Sequence, residues 1–285
     1  MVEIPRIPIG DRVDEGVDWL TDNLGDVFDF VSDQVRWLVD HLEDLLLWPP
    51  AIVLAALFAL VAWRLRSLAF GIFTFLSMLL IESMTLWEES MSTLSLVLIA
   101  TLVAVAIGIP LGIAAASSER VSSVLRPVLD FMQTMPAFVY LIPAITFFGI
   151  GAVPGVVATV VFAMPPGVRL TELGIRQVDT EVVEAAESFG APPRQVLRKV
   201  QLPLALPTIM AGVNQVIMLA LSMVVIAGIV GAGGLGAEVF RGITRLDVGV
   251  GFEGGLAVVI LAVFLDRTTA SIGSTGRRPP PAGTA

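Results

Sequence analysis

Few side chains in this sequence could carry out chemistry, and their spacing argues against most of it. There is no cysteine, so no disulfide, thiolate metal site or catalytic thiol can form. His41 is the only histidine, and no second ligand type is spaced near it for a metal. Lys199, the only lysine, follows Arg198 and not a glycine, so the Gly-Lys-Ser/Thr end of a phosphate-binding loop is missing. Gly231-Ala-Gly-Gly-Leu-Gly236 has the spacing of a dinucleotide fingerprint but follows a long apolar stretch and no strand. Glycines that let a membrane helix end and re-enter fit it better. No cofactor, metal, nucleic acid or catalytic residue is expected, and ATP, if used, must be hydrolysed by another chain.

Ionisable groups also avoid the middle of the apolar stretches. Glu82, Asp130, Arg169 and Asp266 all fall near stretch ends. Proton- and ion-coupled transporters need buried carboxylates or polar relays at the midplane, so a stand-alone secondary transporter is disfavoured.

One polar segment remains, Glu184-Ala-Ala-Glu-Ser-Phe-Gly190 through Leu202-Pro203. Residues 131–168 before it and 200–237 around its end hold no charged side chain. Asp179-Thr180-Glu181 has the form of an N-terminal cap with acids in the first turn. A helix over Val182–Phe189 should stop at Gly190, before Pro192-Pro193. A short amphipathic turn over Glu172–Asp179 is expected ahead of it. A second short helix, carrying Arg194, Arg198 and Lys199, should lead into the next apolar stretch at Leu202-Pro203. Val182, Val183, Ala186 and Phe189 between charged edges suit a groove on a partner protein.

The elements that must position this segment follow from composition. Hydrophobic residues make up 55% of the 285 and charged residues 15%, with mean hydropathy +0.86. A soluble domain is nearer a quarter charged, so this is an all-α polytopic membrane protein. The net charge of −9 is local: residues 1–47 carry twelve acids and three arginines, and the rest is neutral. That tail lacks the apolar run of a signal peptide. Val17, Leu20, Leu24, Val27, Val31, Val35, Leu38, Leu42 and Leu45 form a helical stripe opposite its acids. An acidic face suits the outside better than the anionic cytoplasmic leaflet. The stripe should lie on the membrane surface or against the body, with His41 as a solvated or capping residue.

Crossing the hydrocarbon core takes about 20 residues. About seven spans are expected, near residues 45–63, 67–87, 92–117, 129–149, 153–170, 205–230 and 248–265. Gly108-Ile-Pro-Leu-Gly112 in the third is a close-packing face. With the N-terminus outside and the C-terminus inside, twelve of the seventeen basic residues fall on the cytoplasmic side, together with the Glu184–Pro203 segment. The parts are then an acidic tail (1–47), two accessory spans (48–87), a core (88–270, with the loop at 171–203) and a disordered cytoplasmic end (271–285).

Glu184-Ala185-Ala186, Gly190 and Val200-x-Leu202-Pro203 together resemble the EAA loop of membrane subunits of binding-protein-dependent ABC importers. Val200 stands where that family usually has isoleucine. Asp130-Phe-Met-Gln-Thr-Met-Pro-Ala-Phe-Val-Tyr-Leu-Ile-Pro143, Phe162–Glu172 and Leu221–Gly228 are similar to its glycine betaine/proline betaine branch, over roughly residues 85–270.

The resemblance implies a type I importer permease fold with a coupling helix, in a cell membrane. It implies cytoplasmic ABC ATPase subunits, a separate extracytoplasmic solute-binding protein and a homodimer of permeases. Glu184, Ala185, Ala186, Gly190, Val200, Leu202 and Pro203 would couple to the ATPase. The solute would be a small zwitterion or quaternary ammonium compound, with choline, carnitine or another amino acid as the alternative to a betaine. A methylated ammonium favours aromatic faces, which makes Phe138 and Tyr140 candidates for the path.

Overall fold

Proline and glycine set where this chain breaks. The computed structural model describes residues 9–274, and every regular element among them is helical. Residues 1–8 and 275–285 lie outside the described residues; 271–274, expected in the disordered end, instead continue the last helix.

Helix α1 (Ile9–Leu47) runs unbroken for 39 residues. Over that length a fixed stripe drifts around the axis. Val35, Leu38 and Leu42 pack on the body as expected and Val17, Leu20 and Val31 are half-buried, but Leu24, Val27 and Leu45 are exposed, and Phe28, Val39 and Leu46 pack instead. Phe28 stacks on Phe147 with ring centroids 4.6 Å apart. Ser92 Oγ donates to Glu43 Oε2 at 3.2 Å. His41 Nδ1 donates to the Trp37 carbonyl at 2.8 Å.

At Trp48-Pro49-Pro50 the chain turns by 99° into α2 (Ala51–Leu65). The first expected span is corrected accordingly: residues 45–47 finish α1, and the membrane-type helix starts after the prolines, which cannot donate to a continuing ladder. Helix α3 (Leu68–Ser83) returns beside α2, capped by Ser67, whose side chain accepts from Phe70 N at 3.2 Å.

Next come α4 (Trp87–Ser117), α5 (Glu119–Thr134), α6 (Ala137–Phe148) and α7 (Ala152–Arg176). The span expected over 129–149 is two helices meeting at 100°. Pro136 holds Met135 extended (ψ 133°), as a residue before proline must be. Helix α7 also continues through Arg169 and Glu172 to Arg176, replacing the separate turn expected over Glu172–Asp179.

After α8 (Thr180–Ser188) and α9 (Pro193–Val196), a π turn over Leu197–Gln201 joins α10 (Leu202–Ala227). A 3-10 turn, Gly228–Val230, closes α10. Gly231, Gly233 and Gly234 then adopt positive φ, and the chain re-enters as α11 (Gly234–Arg245), a helix expected only as loop. Helix α12 (Val248–Ser274) ends the described chain, its first turn capped by Asp247, which accepts from Gly249 N and Val250 N at 3.1 and 3.2 Å.

Among the described residues, four helical stretches are long and apolar enough to cross a membrane, six if each bent pair is one crossing, and α3 is a shorter apolar helix. The seven sequence-read spans therefore map onto four long helices, two bent pairs and α3.

Helix α7 is the centre of the bundle, packed on α4 and α10. Lipid supplies no hydrophobic drive between such helices, so close backbone approach matters most. A Cβ on Gly212 would stand 3.0 Å from Leu170 Cβ, and one on Gly174 2.9 Å from Thr208 Cβ. Gly112 meets α7 in the same way from α4, as the small-residue face led one to expect, while a Cβ on Gly108 would be in ordinary contact with Met164 at 3.4 Å.

Candidate functional site

Helix α8 is built to stand away from the bundle. Asp179 Oδ1 accepts from Glu181 N at 2.9 Å and closes its first turn. At the far end Gly190 N donates to Glu187 O at 2.8 Å and Ala191 N to Ala186 O at 3.2 Å. That pair of bonds, with Gly190 at φ +81°, is a Schellman stop, which a glycine makes without strain. No residue of α8 is buried.

The apolar residues of α8 divide into two sets. Val183 and Ala186 are half-buried, on the side turned toward α9 and the π turn. Val182, Ala185 and Phe189 are exposed, Phe189 at 92%. Glu184 is exposed and forms no salt bridge among the described residues. An uncovered helix with an apolar edge and exposed carboxylates can seat in a groove.

The other loop residues form its footing. Leu202 packs with Leu197 and Val178 on a buried cluster of Ile175, Ala205 and Ile209. Val200 is half-buried within the π turn, and Pro203 is exposed. Pro203 explains the π turn. It has no N–H for the Lys199 carbonyl, and its ring crowds that carbonyl in an α-helix. Widening the turn relieves this, and Leu202 N bonds back to Leu197 O.

Beneath the loop lies an ionic ladder that the sequence reading did not assemble. Helices α5 and α7 run antiparallel here, and three rungs join them. Arg169 pairs with Asp130, and Arg176 pairs with Glu119. In the middle Glu172, 7% exposed, accepts from Ser122 Oγ at 2.7 Å and from Arg126 at 3.1 Å. Arg176 Nε also lies 3.0 Å from Glu172 Oε1, and its other nitrogen donates to the Ala115 carbonyl near the end of α4 at 3.0 Å. The rungs border a cavity of about 300 Å³. A buried carboxylate with three donors is held; losing one partner would leave it costly. The signal was in the sequence: 169, 172 and 176 share one helix face, as do 119, 122, 126 and 130.

The two path candidates differ in setting. Phe138 is 54% exposed. Tyr140 is buried, its hydroxyl donates to the Met132 carbonyl, and its ring meets Phe162 edge-on at 5.7 Å. The described residues hold no cluster of three or more metal-ligating side chains.

Membrane helices around one central helix, with a capped helix exposed between two of the spans, suit a transport permease subunit. The chain belongs to the binding-protein-dependent transport system inner membrane component family, whose model matches residues 108–272. It is a multi-pass membrane protein. It is 52% identical over 271 residues to the glycine betaine/proline betaine transport system permease protein ProW of Escherichia coli, covering 95% of this chain and 77% of that one. To the glycine betaine transport system permease protein OpuAB of Bacillus subtilis it is 50% identical over 272 residues, covering 95% and 96%. The fold is similar to that of an inward-facing MetNI methionine ABC transporter, at TM-score 0.61 and 24% identity over 65% of this chain and 93% of the other.

Proposed function

We propose that this chain forms the translocation path of an ATP-driven importer for glycine betaine, proline betaine or a closely related methylated-ammonium solute. The observation that carries this reading is identity of 50% or more with two betaine permeases along 95% of the chain. The family further implies an ATPase and a solute-binding protein as partners.

In this reading the N-terminus lies outside, the C-terminus and α8 lie in the cytoplasm, and ATP is hydrolysed by a separate subunit. Val182, Ala185 and Phe189 of α8 seat in a cleft of that ATPase, with Glu184 at the rim. Gly190 ends the docking helix, while Val200, Leu202 and Pro203 tie it to α10. Residues 1–47 form an outer-surface element, 48–87 an accessory hairpin and 88–270 the core. Two copies pair, and on α5 and α6 Phe131 and Phe138 are 65% and 54% exposed. Such aromatic faces attract a methylated ammonium without needing a carboxylate. Selection of the solute rests mainly with the receptor.

The test is uptake in proteoliposomes holding the permease, its co-purifying ATPase and the receptor. ATP-dependent accumulation of glycine betaine, displaced by proline betaine more strongly than by choline or carnitine, is expected. Uptake without any ATPase, or preference for choline, would overturn the reading.

A further inference from the structure

We propose that the ladder centred on Glu172 makes α5 and α7 one moving body, so that movement of α8 is delivered to α5 and the bend into α6. Glu172 is a positioning residue in this scheme. The inference rests on the coupling role given to α8 and says where the motion goes next.

Three observations carry it. Helix α8 follows α7 after only Gln177, Val178 and Asp179, and the Asp179 side chain fixes its first turn. The last two turns of α7 hold α5 at three levels, through Arg169, Glu172 and Arg176. Apolar packing offers less grip: α5 turns Val124, Val128 and Phe131 outward, at 67%, 51% and 65% exposed, and among its described residues only Ser122 and Leu129 are buried. At its other end α5 meets the 100° bend at Pro136, and Tyr140 of α6 bonds back across that bend to Met132. A displacement entering at Asp179 thus has a continuous polar route to the segment that carries Phe138.

Hydrogen bonds and ion pairs suit such a joint because they are directional, whereas helix faces meeting through small side chains can slide. The middle rung is the costliest to break, since its carboxylate is removed from water and accepts from three donors. The outer rungs are more exposed and set register more than strength.

The absence of native cysteine makes the test direct. Spin labels on Ser123→Cys in α5 and Leu173→Cys in α7 are measured in the complete transporter, with and without nucleotide. The distance is expected to stay fixed through the cycle in the wild-type background and to broaden with Glu172→Gln. Glu172→Gln should also lower betaine uptake at least tenfold, with ATPase co-purification intact and solute-stimulated hydrolysis within twofold. A fold defect would lower all three together.

Should Glu172→Gln not assemble, the exposed rung decides. Asp130→Arg should lose uptake, and Asp130→Arg with Arg169→Asp should regain most of it. A wild-type distance that changes with nucleotide, normal uptake in Glu172→Gln, or no rescue by the charge swap would overturn the inference. Failure of α8 to bind any ATPase would instead sink the coupling reading, while the α5–α7 distance would still decide the ladder.

Discussion

Gly112 of α4 lies so close to Thr171 of α7 that a Cβ on the glycine would stand 2.5 Å from the Thr171 Cβ and 2.6 Å from the Val168 carbonyl. Backbone is the obstacle, so rotamer changes cannot make room. Gly112→Val is expected to destabilise the detergent-solubilised protein by about 1–3 kcal/mol, the usual cost of overpacking. Tryptophan-fluorescence melting reads it as a drop of several degrees. An unchanged midpoint would mean that α4 and α7 do not meet here.

Gly190 stands at φ +81°, where a side chain is strained and proline cannot follow. Gly190→Val should cost about 1–2 kcal/mol locally, loosening α8 without touching the bundle. Co-purification of the ATPase should fall several-fold and uptake with it, while the melting midpoint moves little. Gly190→Pro removes the N–H that bonds to Glu187 O and should abolish coupling.

Phe189 touches water over nearly its whole surface, so its removal exposes no cavity. Phe189→Ala is therefore expected to leave thermal stability unchanged and to weaken ATPase binding at least tenfold, the scale of a buried aromatic anchor. Glu184→Lys should do the same by charge. Normal ATPase retention in both variants would remove α8 from the docking role.

Pro203 imposes the π turn over Leu197–Gln201. Pro203→Ala restores a donor for the Lys199 carbonyl and lets the wide turn relax. The variant should melt no lower than wild type, since helix propensity improves, yet transport less, because α8 would be re-aimed about the axis of α10. Equal uptake by wild type and variant would show that the wide turn does not set the direction of α8.

Much of this was legible along the chain, because local rules decide it. The caps of α8 are set by Asp179 and Gly190, the small-residue contact by Gly108 and Gly112, and the apolar lengths by charge-free runs. What escaped depends on three-dimensional neighbours. The bend at Met135-Pro136 hid inside an apolar block whose length alone suggested one span. Glycines 231 to 236 read as flexible punctuation, which masked the amphipathic helix they introduce. The ladder escaped because Asp130 and Arg169 read singly as span ends, and Glu172 as the start of a separate turn. Their pairing requires knowing that α5 and α7 lie antiparallel and in contact. Tyr140, the only tyrosine, stood out as a path candidate beside Phe138, but whether its hydroxyl is free depends on the fold back to Met132.

The stretch from Pro193 to Val230 runs as one helix of 38 residues through its π turn and final 3-10 turn. At 1.5 Å per residue it is about 57 Å long, nearly twice the hydrocarbon thickness. A rod of that length gears angle into distance: pivoting at one end by about 5° sweeps the other through about 5 Å, close to one helical pitch. Its far end meets Gly231, Gly233 and Gly234, whose positive φ values turn the chain into α11. If the coupling role of α8 holds, a small rotation at the loop end therefore becomes a large displacement at the opposite face.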